Sequence, residues 1–276
     1  MIYVMPTTTG GYALAEIPLA NGGAVAIDPF DGAIIALSGG FDYSINKVNH
    51  VLNKGRQPGS SFKPFIYSAA LDQGSNASTI LLDAPVVMSS TDLEQDWRPS
   101  NYSGKFYGEQ RLREALVRSM NLATVRLLMD KVGIGNAVNH IKMFGFDEED
   151  LPKNGGLALG AGSASPLDMA QAYSVFANGG YNIEPYIIDT IRDSNDEVIH
   201  SNDNPIVCEI CEIAPDTSDI NLELIEIDED EELFVMQQMA DIADVYRPDA
   251  KTSPSLFENL NLADRIISKE NAYLIQ

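Results

Sequence analysis

RQPGSSFKPFIYSAA, residues 56–70, sets a lysine three positions after a serine at the mouth of an apolar run. Phe62, Phe65, Ile66, Ala69 and Ala70 recur at helical spacing, and Pro64 falls where a first turn tolerates it, so the stretch predicts a helix beginning at Ser60. On that helix Lys63 shares a face with Ser60, their Cβ atoms about 5–6 Å apart. The positive end of the helix disfavours an ammonium there, and Phe62 and Phe65 strip it of water, so both push the lysine pKa down. A neutral amine takes the serine proton as the hydroxyl attacks a carbonyl, leaving an acyl-enzyme. The Ser60 N–H, unpaired at the helix start, is one oxyanion donor. The plainer reading is a serine cap followed by a surface lysine, since S-x-x-K is common by chance.

About 60 residues downstream a second polar triplet, Ser119-Met120-Asn121, interrupts the helical pattern of RLREALVRSMNLATVRLLMDKVGIG. Its serine can relay a proton between lysine and leaving group, and its Asn amide can hold a substrate amide or Lys63 itself. As an alternative it is a helix-to-helix turn with a local Asn cap. Upstream, GGAVAIDPFDGAIIALSGG reads as a hairpin whose strands, nearly continuous in apolar residues, are expected to be covered on both faces. SASPLDMAQAYSVFANGG reads as a helix capped by Ser165, with Pro166 at its first position, Asp168 completing a capping box and Gly179-Gly180 ending it. YNIEPYIIDTIRDSNDEVIH reads as strand, turn and strand.

The chain has 276 residues, 45% of them apolar, enough to bury a sizeable core. Its formal charge of −22 excludes nucleic acid as a partner, because a basic face is needed to displace counterions from phosphates. From Glu209 to Glu232 there are eleven acidic residues and no Lys or Arg. That run reads as a solvated loop, a partner or cation surface, or a saline adaptation. Beyond it Val235, Met239, Ile242 and Tyr246 share one helical face. Cys208 and Cys211 fit a local disulfide or free thiols better than a metal site, since His50, His140 and His200 are scattered; no metal and no cofactor is expected. No apolar run approaches the roughly 20 residues of a spanning helix, and the start lacks the pattern of a secretory signal. NAYLIQ ends like a helix cut in mid-turn, so the chain is expected to be a piece of a longer protein.

The two motifs, in this order, are two of the three used by penicillin-interacting serine enzymes. RQPGSSFKPFIYSAAL, GGAVAIDPFDGAIIALSGGFDYS, DWRPSNYSGKFYGEQRLREALVRSMNLATVRLL, LALGAGSASPLDMAQAYSVFANGG and ISKENAYLI are similar in content and order to the transpeptidase domain of class A penicillin-binding proteins, and most to their type 1A branch. The resemblance covers about residues 20 to 200 and resumes near Leu262. It implies an α+β fold, the α/β/α sandwich shared with β-lactamases and DD-peptidases. It also implies a serine-type D-Ala-D-Ala transpeptidase or carboxypeptidase that cross-links peptidoglycan: Ser60 the acylated nucleophile, Lys63 the base, Ser119 the second catalytic group and Asn121 a substrate-binding residue. The implied partners are peptidoglycan stem peptides or their lipid-linked precursor, β-lactams as inhibitors, and other cell-wall proteins. The implied parent is a bifunctional glycosyltransferase and transpeptidase, membrane-anchored at the periplasmic face of the bacterial inner membrane.

By the same resemblance residues 1–20 are the tail of a linker domain, 21–200 the first part of the transpeptidase domain, 201–262 an acidic insertion, and 263–276 the return of the domain. The family's third motif, K-T-G, should follow NAYLI, so the chain is expected to be truncated before that strand and barely reactive alone. Lys251-Thr252-Ser253 imitates K-T-G but precedes the helix and abuts Pro254, so it reads as coincidence. His50 stands where the family usually has Arg. A class A β-lactamase-like hydrolase is the first alternative, although no E-x-x-L-N pattern follows Ser119. A non-catalytic β-lactam sensor or docking module is the second.

Overall fold

The computed structural model describes residues 3–88, 97–208 and 261–276. The chain divides into two compact units, Met1–Val207 with Ala263–Gln276, and Cys208–Leu262. The acidic run from Glu209, Cys211, the helical face at 235–246 and the Lys251-Thr252-Ser253 triplet lie outside the described residues. Cys208 is disulfide-bonded.

The first unit is built around α1 (Lys63–Asp72), whose Phe65, Ile66, Tyr67, Ala69 and Ala70 are all buried. A helix apolar on every side belongs in the middle of a core, and α1 is enclosed by α3 (Asn121–Arg126), the π-helical turns Leu127–Val132, α4 (Ile134–Lys142) and α6 (Lys269–Ile275). The Phe65 ring meets those of Phe62, Phe144, Phe146, Tyr173 and Phe176 at centroid separations between 5.1 and 5.5 Å. Truncating such a buried ring to alanine costs roughly 3–5 kcal/mol. Within this core Ser68 Oγ lies 2.9 Å from His140 Nε2 and Asn271 Nδ2 donates to Ser68 O at 2.9 Å, while Asn271 Oδ1 is buried without a hydrogen-bond partner.

The α-helix begins at Lys63 and not at Ser60. Gly59–Phe62 form a 3-10 turn, and the Lys63 N–H donates to Ser60 O. The cause is Pro64: an α-turn from Ser60 needs the N–H of residue 64, which proline lacks, so the i→i+3 bond from Lys63 takes its place. The helix read at Ser165 is present as α5 (Pro166–Ala177), with both bonds of its capping box. Gly179 (φ 84°) and the Gly180 N–H bond to Val175 O at 2.8 Å end it in the Schellman manner.

The strands form four antiparallel hairpins: β1 (Tyr3–Pro6) with β2 (Tyr12–Ala15), β3 (Ala24–Ile27) with β4 (Ile34–Ser38), β5 (Ile80–Asp83) with β6 (Gly108–Arg111), and β7 (Thr190–Arg192) with β8 (Val198–Ser201). The Asp28–Gly32 turn forms as the sequence predicts, with Asp28 N–H donating to Ala33 O at 2.8 Å. The expected double cover of β3 and β4 is not observed. β3 packs against α5, whereas Ile35 on β4 is 68% exposed.

Candidate active site

Ser60 and Ser119 are both exposed, whereas Lys63 is buried. The Ser60 side is fixed by close backbone approach. Gly59 (φ 61°) donates its N–H to Gly160 O at 3.2 Å, and a Cβ built on Gly160 (φ 66°) would strike the Gly59 backbone. Around this contact Ala164 N–H donates to Arg56 O at 3.2 Å, Ser61 Oγ to Pro58 O at 2.6 Å, and the Tyr173 hydroxyl to Ser61 O at 2.7 Å. Just upstream the Lys54 ammonium pairs with Asp147 at 2.5 Å and Asp150 at 3.1 Å. Those carboxylates raise the Lys54 pKa, so this lysine is a fixed cation and no base.

The Ser119 side is a helix junction. α2 (Leu112–Val117) closes with Met120 N–H donating to Ala115 O (2.9 Å) and Ser119 N–H to Leu116 O (2.8 Å), the two bonds of a Schellman motif. Ser119 therefore occupies the left-handed position that glycine favours, at φ 51°. That turn brings both of its oxygens to Lys63: Nζ donates to Ser119 O at 2.6 Å and Ser119 Oγ at 2.9 Å, and to Asn121 Oδ1 at 2.7 Å. Asn121 Nδ2 donates to Ser100 O at 2.8 Å, which fixes which end of the amide faces the lysine.

Lys63 is 1% exposed, and its burial pushes its pKa down to about 8. Three acceptors satisfy an ammonium in full. On deprotonation two N–H groups remain, and Ser119 O and Asn121 Oδ1, which can only accept, retain them. The lone pair then faces the Ser119 hydroxyl. Ser60 and Lys63 keep one face, as positions three apart in a 3-10 turn do, yet none of the three bonds goes to Ser60. The structure thus joins Lys63, Ser119 and Asn121 by hydrogen bonds and leaves Ser60 outside that network. Gly160 and Tyr173 escape a reading of the sequence, because their contacts reach across 101 and 112 positions from Gly59 and Ser61. Among the described residues no three His, Cys, Asp or Glu side chains gather to hold a metal, and no helix is long and apolar enough to cross a membrane.

The model of the penicillin binding protein transpeptidase domain matches residues 22–216. Penicillin-binding protein 1A of Pseudomonas aeruginosa is 42% identical over 218 residues, which are 79% of this chain and 26% of that protein. Its counterpart from Neisseria lactamica is 44% identical over 186 residues, 67% of this chain and 23% of its own length. The crystal structure of penicillin-binding protein 1A from Haemophilus influenzae superposes with a TM-score of 0.77 at 32% identity, covering 99% of this chain and 37% of that one. The protein PonA1 of Mycobacterium tuberculosis, solved in complex with penicillin V, gives a TM-score of 0.58 at 26% identity over 66% of this chain and 50% of its own. The chain thus spans about a quarter of the length of the curated relatives it matches.

Proposed function

The chain belongs to the penicillin-binding protein transpeptidase domain family, with its α+β fold, and on that premise we propose that it carries the acyl-transfer centre of a peptidoglycan D,D-transpeptidase. Ser60 Oγ attacks the carbonyl of the penultimate D-alanine of a stem peptide. Its proton passes to the Lys63 amine by way of the Ser119 hydroxyl that the lone pair faces, and the tetrahedral adduct is stabilised in part by the Ser60 N–H. The Ser119 hydroxyl gives its proton to the leaving nitrogen as it takes back the one held on the Lys63 ammonium; the C–N bond breaks, D-alanine departs and an ester on Ser60 remains. An amine of a neighbouring stem then attacks that ester, releasing Ser60 as the alcohol; water in place of the amine gives the carboxypeptidase reaction. β-Lactams acylate the same hydroxyl. The setting is the periplasmic face of the inner membrane, and residues 201–262 are an insertion into the domain.

One observation carries this reading: a buried lysine three positions after the exposed Ser60, bonded to the second motif at 2.6 to 2.9 Å and with its pKa lowered to about 8. A buried lysine with a depressed pKa is expensive to keep for structure alone and suits a base. The test is mass spectrometry of the natural full-length protein after benzylpenicillin treatment. One adduct is expected, on the peptide bearing Ser60, and none in Ser60→Ala. A folded protein without that adduct, or an adduct that survives Ser60→Ala, refutes the proposal.

A further inference from the structure

Asp83 ends β5 and is 0% exposed, and among the described residues no cation pairs with it. Its two oxygens accept from the side-chain amide of Asn101 at 2.9 and 2.8 Å, and one also accepts from the Tyr107 N–H at 2.9 Å. A buried carboxylate with only neutral donors is costly, and here it fixes the direction of one amide. Asn101, 7% exposed, also donates to Lys105 O at 2.9 Å, so its Oδ1 must point the other way. That oxygen accepts from the N–H of Asn121 at 2.9 Å and of Leu122 at 3.3 Å.

These are the first two N–H groups of α3, which no intrahelical carbonyl can satisfy. Met120, at the cap position, has no side chain for the task. An amide twenty residues upstream supplies the cap, and the carboxylate behind it polarises that amide toward the helix end. Ser100 O holds the Asn121 side chain as well. Residues 100 and 101 thus grip Asn121 by backbone and side chain, and the other end of the Asn121 amide meets Lys63 Nζ at 2.7 Å.

We propose that Asn101, oriented by Asp83, is the positioning residue of the second motif: it fixes the first turn of α3 so that Asn121 and Ser119 stay on the Lys63 amine. The inference rests on the acyl-transfer reading for the role of Lys63, while the geometry stands without it. Asn101→Ala leaves Asn121 held by Ser100 O alone, so its Oδ1 shifts from the ammonium, which loses an acceptor. The charged form is then less favoured, so Lys63 titrates at a lower pH, by about one unit for one hydrogen bond to a charged group. Acylation falls about tenfold or more, because the base is no longer held in place.

The experiment measures both in the natural full-length protein: the rate of acylation by a fluorescent penicillin, and the Lys63 titration by NMR of lysines labelled at the ε-carbon, assigned by loss of the signal in Lys63→Met. Slower acylation with the titration shifted down, in a variant that melts cooperatively, is the expected result. Slower acylation with the titration unmoved marks Asn101 as a structural residue only and overturns the proposal, as does a wild-type rate. If Asn101→Ala does not fold, an exchange decides. Asn101→Asp alone sets two carboxylates against each other and slows acylation, and adding Asp83→Asn restores an amide–carboxylate pair and recovers at least about tenfold. No recovery overturns the proposal. Should the unmutated protein take no penicillin at all, the acyl-transfer reading fails, and the titration shift by itself decides the positioning role.

Discussion

The two shoulders of the site are held by different forces. The Ser60 shoulder is fixed by close backbone packing and hydrogen bonds between neutral groups: the Gly59 and Gly160 backbones touch, and the Tyr173 hydroxyl donates to Ser61 O. The Ser119 shoulder is fixed by hydrogen bonds to one titrating amine, with a serine in a backbone conformation suited to glycine. Steric contact does not depend on charge, whereas the bonds that Lys63 donates fall from three to two when it gives up its proton. Changing pH should therefore act on one shoulder and leave the other in place, which keeps the nucleophile set while the base is switched on.

Removing the amine should show the largest effect. Lys63→Ala is expected to slow acylation by about 10³-fold, within the usual range for loss of a general base. In the unmutated protein the rate should rise with pH and level off above about 8, because the neutral amine is the active form and the pKa is lowered to that value by burial. Below it the rate falls about tenfold per pH unit, and this dependence should vanish in Lys63→Ala. Rates measured from pH 6 to 9.5 check both statements; a wild-type profile flat across pH 8 would remove Lys63 from the role.

The shape-held shoulder should respond next. Gly160→Ala forces a side chain into a left-handed residue and into the Gly59 backbone, directly before Ser60. Acylation is expected to drop by about 10²-fold, the effect of moving a reacting group by about an ångström. The pH at half-maximal rate should stay near 8, since no acceptor of Lys63 has moved. A shifted midpoint would show that the two shoulders are coupled after all.

What the sequence discloses divides along the same line. Local chemistry is legible: the Ser165 cap with Asp168, the Asp28–Gly32 turn, the S-x-x-K spacing and the interruption at Ser119 all rest on neighbours a few residues apart. The late start of α1 was derivable too, because Pro64 cannot donate to Ser60 O. Long-range contacts are hidden. Gly160 looks like any glycine in LALGAG, Asn101 like any turn asparagine in RPSNYSG, and Asp83 like the end of a strand. Their partners become visible only when the chain folds. The apolar pattern of β3 and β4 implied two covered faces, but composition reports what a strand can bury and not what packs on it.

The smallest expected effect isolates the strain at Ser119. Ser119→Gly and Ser119→Ala both remove the hydroxyl and its bond to Lys63, so both should acylate slowly and to a similar degree. They differ in backbone. Alanine keeps the left-handed residue at a cost of roughly 1–2 kcal/mol, while glycine relieves it and gives back roughly 0.4–1 kcal/mol through its freer unfolded chain. Ser119→Gly should therefore be the more stable of the two by about 1 kcal/mol, or a few degrees in melting temperature. That outcome would mean the protein retains a strained serine because only a hydroxyl turned into that conformation can face the amine. Equal stability of the two variants would show instead that the junction tolerates a side chain at φ 51° without strain, and the contrast between a relaxed shoulder and a strained one would fall with it.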